Sequence, residues 1–177
     1  MARGRHFTVE SGATKKGGSG MLSAAPRRWL SWDYSVRDSD GADVARVTIG
    51  SWSEKGTVIL AEEEYRVYRR GLTGPFVLEG VDGATAASAL KPSALQRKFA
   101  VRSGDREYAL QATSALSREF GLFDGDRRVG AVVPASWLSR RARADFDAEI
   151  PPPLQAFVLW LTLLLWKRSS DSSVAAG

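Results

Sequence analysis

Over residues 29–150 the apolar positions come in short runs that alternate with polar ones, and turn residues separate the runs. The clearest case spans residues 98–111. Phe99 and Val101 alternate with Lys98, Ala100 and Arg102, Ser103-Gly104-Asp105 interrupts, and Tyr108 and Leu110 alternate with Glu107, Ala109 and Gln111. A period of two sends one set of side chains to a core and the other to water, so this stretch is read as a β-hairpin. The same pattern predicts strands over 32–36, 44–49, 57–61, 65–69, 76–79, 118–123 and 128–133. Asp40-Gly41, Asp82-Gly83, Gly104-Asp105 and Asp124-Gly125 are dipeptides that tolerate a turn's positive φ. Short strands at roughly ten-residue spacing point to a sandwich or a barrel.

The pattern changes at Ile150. Three prolines (Pro151, Pro152, Pro153) lead into residues 154–166, which are apolar on every face apart from Gln155 and Thr162, and Lys167-Arg168 follows. Proline suits the first turn of a helix, where its missing N–H is no loss, and basic residues suit the negative end of the helix dipole. A helix is therefore predicted over about 152–167. A helix apolar all round must be enclosed by protein or by lipid. Thirteen residues make about 20 Å of helix, against a hydrocarbon core of about 30 Å. Protein is the better enclosure, and a flat sheet covers only one side. The expectation is a mainly β domain: a closed antiparallel barrel, curled around one apolar C-terminal helix. Nine large side chains from Phe157 to Trp166 would each contribute roughly 1.5–3 kcal/mol on burial, so truncation before Ile150 is expected to prevent folding.

Charge sharpens the domain picture. The net charge is +5, but residues 1–28 hold six of the 25 basic residues and one of the 20 acids, which leaves 19 of each elsewhere. The body is neutral overall, which argues against a broad nucleic-acid surface. Residues 1–28 are read as a flexible basic segment with one possible short strand at 6–10, and SGATKKGGSG over 11–20 as linker. Residues 29–168 form the domain, and 169–177 a small, polar, disordered tail. No apolar h-region of a secretory signal is visible, so a cytoplasmic protein is expected, peripheral at a membrane where it binds lipid and with no transmembrane span.

Candidate chemistry is sparse. The one histidine, His6, lies in the N-terminal segment, and there is no cysteine. No G-x-S-x-G elbow, S-x-x-K, Walker loop or dinucleotide fingerprint occurs. No catalytic residue and no cofactor is assigned, and the chain is read as non-enzymatic. Arg140, Arg141 and Arg143 form the densest basic cluster of the body and are the candidates for anionic lipid headgroups. Asp145, Asp147 and Glu149 alternate, which on a strand would set three carboxylates on one face with Phe146, Ala148 and Ile150 on the other. That is a weak calcium candidate beside the reading of a strand with a charged outer face. Glu62, Glu63 and Glu64 with Arg66, Arg69 and Arg70 are read as cross-strand ion pairs, and residues 89–95 as a loop.

The late motifs carry a family likeness. Val129-Gly130-Ala131-Val132, the basic stretch 140–143, Ala144-Asp145-Phe146-Asp147-Ala148-Glu149-Ile150 and a proline-led apolar helix follow in that order. Earlier stands Val36-Arg37-Asp38-Ser39-Asp40-Gly41. This organisation resembles the tubby C-terminal-like superfamily, which takes in tubby proteins, plant LURP-one-related proteins and phospholipid scramblases. The resemblance implies a barrel of about twelve strands around a hydrophobic helix. It also implies a domain that binds anionic phospholipid or a membrane surface, and a place for calcium at the acidic stretch. The chain departs from scramblases in lacking their cysteine-rich segments and their proline-rich N-terminal region, and no basic residue matches the phosphoinositide-binding positions of tubby domains. A structural or protein-interaction domain with no small ligand is the alternative, and lipid scrambling stands behind both. The helix fills the interior, so any site is expected on the outer wall or at the rim.

Overall fold

The computed structural model describes residues 20–29, 31–51, 53–92, 97–114, 117–136 and 139–175. The short strand expected at 6–10 and nearly all of the expected linker lie outside them. In chain order the elements are β1 (Leu22–Pro26), β2 (Asp33–Arg37), β3 (Asp43–Ile49), β4 (Gly56–Leu60), β5 (Glu63–Arg69), β6 (Phe76–Gly80), β7 (Thr85–Leu90), β8 (Lys98–Ser103), β9 (Arg106–Ala112), β10 (Phe120–Asp124), β11 (Arg127–Pro134), β12 (Ala142–Phe146) and α1 (Pro152–Ala175). Each strand pairs antiparallel with its neighbours in the chain, and β1 pairs with β12 to close the barrel. Closure leaves no edge strand among them.

Alternation drives each strand's placement. In β12, Ala142, Ala144 and Phe146 are buried while Arg143 and Asp145 face out. The hairpin expected from 98–111 is β8–β9, with Phe99 opposite Leu110 and Val101 opposite Tyr108, all four buried. The glycines of the four turn dipeptides all take positive φ. A barrel of eight strands is about the widest that its own side chains can fill, so twelve strands need something inside. That is α1. Leu154, Trp166 and every residue over 156–164 are buried.

Polar atoms on this helix are satisfied without opening it. The Thr162 hydroxyl donates to Val158 O at 2.9 Å, within the helix. Trp160 Nε1 donates to Thr48 O at 2.9 Å, and Trp166 Nε1 donates to Arg118 O at 2.8 Å. The two indoles fix the rotation and depth of the helix against opposite parts of the wall. Gly56 makes room for the first: a Cβ there would lie 2.5 Å from Trp160 Nε1.

Four expectations are corrected. The N-terminal segment does not run to residue 28, because Leu22–Pro26 is β1; with one large apolar residue in Leu-Ser-Ala-Ala-Pro it carries almost no alternation to detect. Part of the expected loop 89–95 is strand, Ala89 and Leu90 closing β7, whose inward residues Ala87 and Ala89 are equally small. The helix does not stop near 167 but runs to Ala175, so residues 169–175 of the expected disordered tail are helix. Lys167 therefore sits in mid-helix and pairs with Asp171 one turn on, at 2.9 Å, rather than capping the end of the dipole. Finally, the acids of 62–64 and Arg66, Arg69 and Arg70 lie along one strand and its borders, so they cannot face each other across the sheet; Arg69 pairs with Glu54 at 3.4 Å instead.

Candidate functional site

In an up-and-down barrel, alternate connections fall at the same end, and here the two ends differ in length and in charge. At the end where α1 enters, the connections are tight. They carry Asp38 and Asp40 (β2–β3), Glu62 (β4–β5), Asp82 (β6–β7), Asp105 (β8–β9), Asp126 (β10–β11), and Asp147 with Glu149 (β12–α1), with no lysine or arginine. The other connections are longer. They carry Arg27 and Arg28 (β1–β2), Lys55 beside Glu54 (β3–β4), Arg70 (β5–β6), Lys91 and Arg97 (β7–β8), Arg118 beside Glu119 (β9–β10), and Arg140 with Arg141 (β11–β12). Lys167 and Arg168 of α1 emerge there too. A body neutral in sum is thus a dipole along its axis. Arg37, Arg106 and Arg127, at strand ends, pair with acids of the first end and moderate its charge without reversing it.

The basic end is organised around aromatic rings. Arg140 stacks over Trp32 at 4.3 Å with Lys167 also near that ring, Arg118 over Trp166 at 4.7 Å, and Arg97 over Phe120 at 5.3 Å. Arg69 and Arg168 both lie over Phe76 and both pair with Glu54. Such contacts contribute about 0.5–2 kcal/mol each, more as they are dried. They close the barrel mouth around the emerging helix. Beyond this layer two large apolar side chains stand in water, Trp29 at 89% and Leu72 at 93% exposure.

The candidate arginines separate. Arg140 is spent on structure: Nη1 donates to Trp29 O at 2.6 Å and Nη2 donates to Ser31 O, which ties the β11–β12 connection to β1–β2. Its Nε is buried with no hydrogen-bond partner among the described residues, as is the Tyr34 hydroxyl. Burial raises the Tyr34 pKa, and the guanidiniums of Arg140 and Arg118 pull against that rise. Burial lowers the Arg118 pKa. Arg141 and Arg143, by contrast, are exposed and make no ion pair among the described residues. Arg143 points outward from the second position of β12, close to the basic end. Trp137 and Leu138, which flank this cluster in sequence, lie outside the described residues.

The candidate acids separate as well. Strand β12 ends at Phe146, so Asp145 alone projects from it, while Asp147 and Glu149 belong to the turn into α1. Both turn carboxylates face Arg127, Asp147 at 3.2 Å. The Arg127 hydrogen bond, then its charge, holds the Glu149 carboxyl below the usual carboxylate range, and Arg106 adds to this. Among the described residues no group of three acidic, histidine or cysteine side chains is disposed to hold a metal ion. None of their helices is long and apolar enough to cross a membrane.

Sequence reasoning passed over Trp29 and Leu72, assigned Arg27 and Arg28 to the N-terminal segment and Arg70 to an ion pair, and so did not group these five, which are scattered over two connections far apart in the chain. The signal was present: sorting charges by alternate connections of a meander exposes the two ends.

No protein-family model and no curated protein matches the chain. A solved structure of a protein from Arabidopsis thaliana is similar over 86% of this chain and 93% of that one, with 12% identity and a TM-score of 0.39.

Proposed function

We propose that the chain is a non-enzymatic, tubby-like binding module that sets the basic end of its barrel on an anionic phospholipid surface. One observation carries the reading: the basic residues of the connections are collected at a single end, and two exposed apolar side chains, Trp29 and Leu72, project from that same end. Each Lys or Arg near an anionic leaflet contributes about 1 kcal/mol. An exposed tryptophan beside them suits the headgroup boundary, where an amphipathic ring has both apolar and polar neighbours. Arg28, Arg141 and Arg143 supply charge free of structural duty, while Arg140 holds the connections that present them.

The test is flotation with phosphatidylcholine vesicles with and without phosphatidylserine. Binding should require the anionic lipid and fall with added salt. Replacing Arg28, Arg141 and Arg143 by alanine should weaken it on the order of 100-fold, whereas Arg102→Ala at the opposite end should leave it unchanged. No flotation at low salt sinks the proposal and favours a domain that engages protein alone.

A further inference from the structure

The opposite, acidic end holds a cleft that membrane docking does not use. Its outer part, about 820 Å³, runs over the rim between β3, the β4–β5 turn and the start of α1, where Val44, Ala45, Leu60 and Pro152 form an apolar floor. The same four residues also line a smaller chamber of about 170 Å³ inside the barrel wall, which ends on Ala156 and Leu159 of α1. The two spaces therefore adjoin, with these four residues bordering both. Ligand sites are typically concave, mostly apolar spaces of about 300–1,000 Å³ with few polar groups. Here the polar groups stand at the mouth: Glu62, Glu63, which accepts from the Tyr65 hydroxyl at 2.7 Å, and Asp43, which pairs with Arg37, against one lining base, Arg46.

The turn at that mouth is unlike the others. Ala61 and Glu62 take φ of 48° and 73°, and they are the only non-glycine residues with positive φ among the described residues. Four of the other tight turns place a glycine where φ is positive. A side chain in the left-handed region costs about 1–2 kcal/mol, and such strain gathers where a local geometry serves binding. Both strained residues line the cleft. Glycine would relieve the backbone, but it would also remove the Glu62 carboxylate from the mouth.

We infer that this cleft binds a single-chain amphiphile with a cationic head, its alkyl tail passing over Leu60 into the inner chamber and its ammonium group lying among Glu62, Glu63 and Asp43. The sign of the head follows from the carboxylates at the mouth, reinforced by an end whose connections carry acids and no base. The length of the tail is bounded by Leu159, where the chamber stops. Basic-end docking would leave this mouth facing water, so the two sites are independent.

The experiment is calorimetric titration of the full chain with dodecyltrimethylammonium below its micelle concentration. Dodecyl sulfate serves as the control of equal chain length and tetramethylammonium as the head alone. The expected result is saturable one-to-one binding of the cationic amphiphile, at least about tenfold tighter than the sulfate, with no measurable binding of the head alone. Glu62→Gly should raise the melting temperature while weakening the amphiphile severalfold, a combination that general damage to the fold does not produce. Ala45→Leu, which intrudes on the shared floor, should abolish binding. Should that variant fail to fold, intermolecular NOEs from the alkyl protons to the methyls of Leu60 and Leu159 in the unaltered chain decide the matter. Equal binding of both head signs, no saturable binding, or NOEs elsewhere would overturn the proposal.

Discussion

Single residues do different kinds of work in this barrel, and their sequence neighbours do not tell which. Arg140 and Arg141 are adjacent, yet one ties two connections together over Trp32 and the other stands in water. Arg127 is a third case, an exposed base that serves two acids of the turn into α1. Because the folded Glu149 pKa lies below its unfolded value, the pair stabilises the fold fully above about pH 4.3 and stops doing so as pH falls through the depressed folded value. Arg127→Leu should therefore lower the melting temperature near neutrality. The difference from the unaltered chain should vanish as pH drops below the carboxylate range. A gap that persists in acid would mean that Arg127 acts through packing instead.

Among the elements, α1 is the one the others depend on. Its buried part, residues 154–166, has no polar face, so its position is set by the wall around it and by the two indole hydrogen bonds. The stretch beyond Arg168 is different: residues 169–171 are exposed and held by local bonds such as Ser170 Oγ to Trp166 O at 3.0 Å. Ending the chain after Arg168 should cost no more than about 1 kcal/mol, since exposed i,i+4 pairs contribute a few tenths each. Ending it after Glu149 should abolish cooperative melting, and Leu161→Ala, which opens a hole among buried neighbours, should cost about 2–5 kcal/mol. Circular dichroism melts of the three chains check this together; a cooperatively melting fragment without α1 would mean that twelve strands can close on themselves.

For the whole molecule, net charge is a poor guide and charge placement a good one. Removing residues 1–19 takes away Arg3, Arg5, Lys15, Lys16 and Glu10 and brings the net charge from +5 to +2. If docking belongs to the basic end of the barrel, the shortened chain should still float with anionic vesicles, its affinity altered by no more than about twofold, because Arg28, Arg141 and Arg143 are all retained. Loss of binding would move the function to those residues. Much of the architecture was already legible along the chain, because its causes are local or nearly so: alternation set strands such as β8 and β9, Asp-Gly and Gly-Asp pairs set their turns, and an all-apolar run too short for a bilayer demanded a protein enclosure. Strands β1 and β7 escaped notice because alanine and serine leave no contrast between inner and outer faces. The candidate site was legible only as a local cluster, Arg140, Arg141 and Arg143, since adjacency in the chain was the sole measure of nearness. Which of these arginines faces water, where Asp147 and Glu149 turn, and how remote connections gather into a basic and an acidic end depend on pairings between strands far apart in sequence. Those distances exist only once the barrel has closed.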